Sequence, residues 1–133
     1  MVREATVTLS IVFPAPDVRL SMNDRMHWAK RAKITGEWRS ASWVWSLNAV
    51  SHGLTRPQPP SRVKVVFEVS DPWRRRDPHN LAPTVKAIVD GMVDAHIWPD
   101  DSSKWVTIDD PEFRRELNGA PVRVVRVELT ERT

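Results

Sequence analysis

Between Arg74 and Asp101 the chain gathers the residue types that phosphate chemistry uses: RRRDPHNLAPTVKAIVDGMVDAHIWPDD. Three arginines lead directly into Asp77, and the stretch closes on the pair Asp100 and Asp101. Lys86 and Asp90 lie between them, four residues apart, on a segment with helical spacing. Carboxylates drawn from separate points of a chain can hold a hard divalent cation, which takes oxygen ligands. Adjacent arginines can grip phosphate through paired N–H donors. The combination points to metal-assisted phosphodiester chemistry, in which water is made nucleophilic and the leaving oxygen is stabilised. Asp77 and Asp101 are the best-placed ligands, with Asp100 as the alternate. Lys86 could stabilise charge on the scissile phosphate. His79, two residues after Asp77, fits a metal ligand, a general base or a loop residue making a hydrogen bond. Asp109 and Asp110, just before Pro111, have the composition of a turn.

These residues need a frame. Residues 62–69 alternate, with Val63, Val65, Phe67 and Val69 facing one way, and so read as a strand that delivers the arginines and Asp77 at its end. Leu81, Val85, Ile88 and Met92 step by four, three and four, the core face of a helix. Asn80 can cap that helix, and Pro83 is tolerable in its first turn. Lys86, Asp90 and Asp94 fall on another side, and residues 97–103 break the helix. Upstream, Ala5, Val7, Leu9, Ile11 and Phe13 alternate as a first strand, which Pro14 and Pro16 end. A long helix is expected from about residue 24 to residue 50, with Ile34, Trp38, Ala41, Trp45 and Ala49 on its core face and Gly53 past its end. Trp43 projects on the opposite side, with Trp28 nearer to that side. A subunit interface, a helix buried on two sides, or stacking on nucleic-acid bases would each use such an indole. Residues 105–108 form a third strand. Residues 113–117 and 121–129 form a hairpin about Asn118-Gly119, the strongest short hairpin signal.

The order strand, helix, strand, helix, strands gives an α/β (α+β) domain, a mixed sheet packed against two main helices. With 133 residues, a single domain over 1–133 is expected. Only four glycines occur and none makes a G-x-G pattern, which excludes a dinucleotide or P-loop fold. The absence of cysteine excludes disulfides and thiolate zinc sites and suits a reducing compartment. No apolar run reaches membrane-spanning length and no leader pattern is seen, so a cytoplasmic protein without a membrane partner is expected. Lys and Arg outnumber Asp and Glu by 20 to 17, and the excess is uneven. Arg25, Lys30, Arg31, Lys33 and Arg39 face a single Glu37, a density that suits a polyanion or a solvated helix face.

The runs RRRDPHNL, KAIVD and WPDD, together with SMNDRMHWAKR near the N-terminus, resemble the RusA family of four-way (Holliday) junction resolvases. That family has a D-x-D-N segment, a lysine opening K-x-x-x-D on a helix, and a closing acidic pair after an aromatic residue. An early N-x-R-x-H-W segment also belongs to its pattern. The resemblance spans about residues 14–110. It implies a magnesium-dependent homodimer, with manganese possible, that cuts two opposed strands of branched DNA in recombination and repair and uses no small-molecule cofactor. Asp77 then matches the first acid, Asp101 the last, Lys86 the lysine and Asp90 the helical acid. Arg74, Arg75, Arg76, Arg25, Lys30, Arg31 and Lys33 are the expected DNA contacts. The chain departs from the pattern twice. His79 stands where the family has its second acid, and Lys86 comes later after Asn80 than the usual spacing. A non-catalytic branched-DNA-binding protein that has lost one metal-binding acid is the alternative.

Overall fold

The computed structural model describes residues 6–14, 28–57, 60–69, 81–115 and 124–132. Over these residues a five-stranded mixed sheet packs against two helices. The elements in chain order are β1 (Thr6–Pro14), α1 (Trp28–Ser51), β2 (Ser61–Val69), α2 (Ala82–Asp94), β3 (Val106–Ile108), β4 (Glu112–Arg115) and β5 (Val124–Arg132). The sheet order is β1-β5-β2-β3, with β4 also on β2. β5 runs antiparallel to both β1 and β2, whereas β3 and β4 run parallel to β2. Among the described residues no helix is long and apolar enough to cross a membrane.

The alternation of the strands sets the core. Leu9, Leu129 and Val63 are in register across β1, β5 and β2, as are Ile11, Val127 and Val65. These rows form the helix side of the sheet, since Phe67 on the same face of β2 meets Trp38 of α1 edge-on, 6.2 Å between ring centres. β2 lies inside the sheet, and Val63, Val65, Val66 and Phe67 are all buried.

α2 has the expected core row of Leu81, Val85, Ile88 and Met92. α1 crosses it at Ile88 and Gly91, and Thr84, Ala87, Val89 and Gly91 are buried too. The two helices touch at Gly91, where an added Cβ would lie 2.7 Å from Ser42 Cβ and collide with the Arg39 carbonyl. Ser42 Oγ donates to the Ile88 carbonyl at 2.6 Å in the same contact. Leu81 occupies the N-cap position of α2 and no side chain caps it. Asn80, the expected cap, lies outside the described residues.

Two sequence-based expectations need correction. The buried row of α1 is Ile34, Trp38, Ser42 and Ser46, an unbroken i, i+4 ridge. Such a ridge winds slowly around the helix, because it is inclined to the axis by about 26°. By its last turns it has moved off Trp45, which is 37% exposed, and onto the small serines that admit α2. Trp43 is exposed, as its spacing indicates. Second, the strands on either side of Asn118-Gly119 do not form a hairpin with each other. β4 and β5 flank opposite edges of β2, which separates them. The turn signal is local, whereas the buried β2 presents backbone hydrogen-bonding groups on both edges and pairs with a strand on each; residues 116–123 themselves lie outside the described residues.

Candidate active site

The end of α2 builds the first wall. Ile97 N–H reaches the Met92 carbonyl and His96 N–H the Val93 carbonyl, the paired bonds of a Schellman cap. His96 takes the left-handed position with φ 61°, a place more often held by glycine. Arg56 Nε donates to the His96 carbonyl at 2.8 Å and ties this corner to the segment after α1. Trp98 then turns inward, 1% exposed, and its indole N–H donates to Ser61 Oγ at 2.7 Å at the start of β2. Ser61 N–H in turn meets the Trp105 carbonyl at 3.0 Å. The loop 95–105 is thus held at both ends, and it carries both acids of the PDD run.

Those two acids have different work. Asp100 Oδ1 accepts from Ser102 N–H at 2.8 Å, a turn bond, and hydrogen bonds from Ser102 hold its carboxyl below the ordinary carboxylate range. Asp101 instead lines a cleft of ≈ 270 Å³ between α2 and the end of β3. Lys86 Nζ lies 3.6 Å from Asp101 Oδ2 and 3.4 Å from Asp90 Oδ1. Lysine, helical acid and loop acid, predicted from separate points in the chain, therefore meet around one ammonium. Asp94 does not join them. It takes a two-pronged bond from Arg39, 2.6 Å to Nε and 2.9 Å to Nη2, and so fastens α2 to α1.

The second wall contains groups that sequence reasoning set aside. Asp109 and Asp110 line the same cleft as Lys86 and Asp101. Asp109 N–H donates to the Val63 carbonyl at 2.8 Å, which extends the parallel pairing of β3 with β2 by one residue. Arg62 of β2 puts both Nη2 (2.8 Å) and Nε (3.2 Å) on one oxygen, Oδ1, of Asp109. The carboxylate holds the Arg62 pKa above its ordinary value, chiefly through this hydrogen bond. These acids follow β3 directly, but the partners that set Asp109 apart come from β2, far away in sequence. Between the walls the floor is aliphatic, made by Val85 and Val89 of α2 with Ile108 and Pro111.

Asp77, His79, Arg74, Arg75, Arg76 and Arg25 lie outside the described residues. Lys30 and Lys33 are exposed on the first turns of α1, and Arg31 is half-buried there. Among the described residues no three Asp, Glu or His side chains converge as a metal cage. The donors around Lys86 are carboxylate oxygens, the type magnesium prefers. The chain matches no family model and no curated protein.

Proposed function

We propose that the protein is a metal-dependent endodeoxyribonuclease of the RusA type, acting on four-way junctions. The observation that supports it best is the meeting of Lys86 with both Asp90 and Asp101, since each was assigned from sequence to the same phosphate chemistry. Lys86 is two-thirds exposed and its ammonium faces the cleft mouth, so it can meet a phosphate without the cost of leaving water. In the free protein the two aspartates hold that ammonium between them. On approach of a phosphodiester it would shift toward the developing negative charge on the non-bridging oxygens, an interaction that strengthens toward the transition state. Asp101, relieved of the lysine, would be free to hold a cation. Magnesium or manganese, held by Asp101 with Asp77 and Asp90, would supply Lewis-acid activation of the phosphodiester. His79 would be a poor ligand for magnesium but an acceptable one for manganese.

A four-way junction is two-fold symmetric, so paired cuts call for two copies of the site related by symmetry. A homodimer in the cytoplasm is part of this proposal. The exposed Trp43, Val44 and Leu47 on the outer side of α1 offer apolar area for such contact. Incubating the protein with a synthetic junction and a linear duplex, with and without divalent metal, tests the reading. Paired nicks confined to the junction support it. Metal-independent binding without cutting would favour a binding protein that has lost its catalysis.

A further inference from the structure

At the edge of the sheet away from β3 lies β1, which pairs only with β5. Among the described residues none bonds to its outer side. An edge strand presents a row of unpaired N–H and C=O groups to any second strand, and proteins that stay apart blunt it with charged side chains, bulges or proline. The sequence of β1, TVTLSIVFP, is uncharged and holds proline only at its last position. Its register with β5 runs from Thr6 to Pro14 without a bulge. Ser10 and Val12 are exposed on the face away from the helices, while Ile11 is buried on the other. The helix beside this edge is equally uncharged. α1 packs on β1, and its second half, from Ser40 to Ser51, contains no charged residue. Trp43, Val44, Trp45 and Leu47 are exposed there, where a helix facing water ordinarily carries charge. Ser42 meets α2, and Val44 projects about 160° from Ser42 around the helix, on the side away from α2.

We infer that β1 is the surface on which two copies of the chain pair, edge to edge and antiparallel, about a two-fold axis at Ser10. This names the dimer surface that paired cutting calls for, and it stands on the edge itself rather than on the nuclease reading. Centred on Ser10, the alignment matches the whole of β1 with its copy. Residues directly opposite in an antiparallel pair share a face. Leu9 of each copy then meets Ile11 of the other on the helix side, and Thr8 meets Val12 on the open side. The two sheets become one, with both helix layers on the same side. No like charges are opposed along the seam, because β1 has none. The strand is about 30 Å long, and the sheet and helix layers together are about 20 Å deep, so roughly 600 Å² per copy is covered. The total of about 1,200 Å² reaches the lower bound of stable, specific interfaces. An unrelated extended peptide would find the same backbone groups. A second copy also brings an uncharged helix flank to cover Val44 and its neighbours.

Charge-swapped variants test the pairing in the absence of DNA. Ser10→Lys and Ser10→Glu change an exposed side chain, and each sets like charges directly opposite across the axis. Each variant alone should raise the dimer dissociation constant by about tenfold or more in sedimentation equilibrium, since a charged edge is the ordinary block to strand pairing. An equal mixture of the two should return it to the wild-type value or below. Hydrogen exchange on the wild type gives a second reading that needs no variant. In the dimer the successive amides of β1 should all be protected, and dilution to monomer should release every second one. A dimer that neither charge weakens, or whose alternate β1 amides exchange freely, overturns the inference and leaves paired cutting to another surface. A monomeric wild type whose outer amides become protected only by an added extended peptide overturns it and assigns the edge to another protein. A dimer that behaves as expected but leaves junctions whole upholds the inference and refutes the nuclease reading.

Discussion

The crossing of α1 and α2 at Gly91 predicts opposite outcomes for two glycine-to-alanine changes. In a helix interior alanine is favoured over glycine by about 1 kcal/mol. Gly36, on the outer side of α1, has no atom within 4 Å of where a Cβ would sit, so Gly36→Ala should gain about 0.5–1 kcal/mol. At Gly91 the added methyl lands 2.7 Å from Ser42 Cβ and against the Arg39 carbonyl. Neither neighbour is a flexible tip, so the helices must separate by several tenths of an ångström. Overpacking of this kind costs about 1–3 kcal/mol. Separation also strains the Ser42–Ile88 hydrogen bond, for a further loss of about 1 kcal/mol. After the propensity gain is subtracted, Gly91→Ala should destabilise by about 1–3 kcal/mol. At roughly 3–5 °C per kcal/mol for a chain of this size, that lowers Tm by about 3–15 °C. Thermal and urea unfolding of the two variants beside the wild type make the comparison. If Gly91→Ala equals or exceeds the wild type in stability, the helices do not approach as described and the loop that carries Asp101 loses its support.

Three other outcomes follow from the same description. The hydrogen bond from Arg39 holds the Asp94 carboxyl below its ordinary value, against the opposing effect of partial burial. The pair's contribution is therefore complete above the unfolded carboxyl pKa of about 3.9 and vanishes as pH falls through the folded value. Since both side chains are more than a third exposed, it is worth less than about 1 kcal/mol. The stability gap between wild type and Arg39→Gln should close between pH 5 and pH 2, in steps of about one unit of urea-melt data; a constant gap would assign Arg39 to packing alone. If His79 ligates the metal, cutting should be faster with manganese than with magnesium and should decline below about pH 6.5. His79→Asp should then improve magnesium-supported cutting, and an alanine variant with unaltered metal preference would remove His79 from the ligand set. Light scattering at micromolar concentration should report a dimer, and Trp43→Glu should shift it toward monomer; a wild-type monomer would argue against paired cutting.

The frame was readable because its signals are periodic. The alternation of Val63, Val65 and Phe67, and the row Leu81, Val85, Ile88, Met92, each report one buried face, and each face is buried. Trp45 was misplaced because spacing shows which residues share a face but not how a ridge drifts across a partner helix. The Asn118-Gly119 signal describes a turn, and says nothing of a third strand standing between the two it joins. Lys86, Asp90 and Asp101, singled out by residue type and spacing, lie together in the fold. Asp109 was passed over because Asp-Asp-Pro resembles a turn in any context. What distinguishes it is Arg62, 47 residues away in sequence, and the bond to the Val63 carbonyl, neither of which leaves a local trace. Ser42 and Gly91 were likewise invisible, since their importance lies in what is absent from their side chains.

The central claim is that Asp101 belongs to a metal-dependent site for cutting branched DNA. The most direct test compares wild type and Asp101→Asn on a radiolabelled four-way junction, in magnesium, in manganese and in EDTA. Paired nicks by the wild type are expected only when metal is present. A loss of more than about 100-fold is expected in the variant, because even the outer partners of metal ligands are worth about 10–100-fold. Junction affinity should be unchanged or tighter once the negative charge is removed. A variant that cuts at the wild-type rate, or a wild type that binds the junction and leaves it whole in both metals, would contradict this claim.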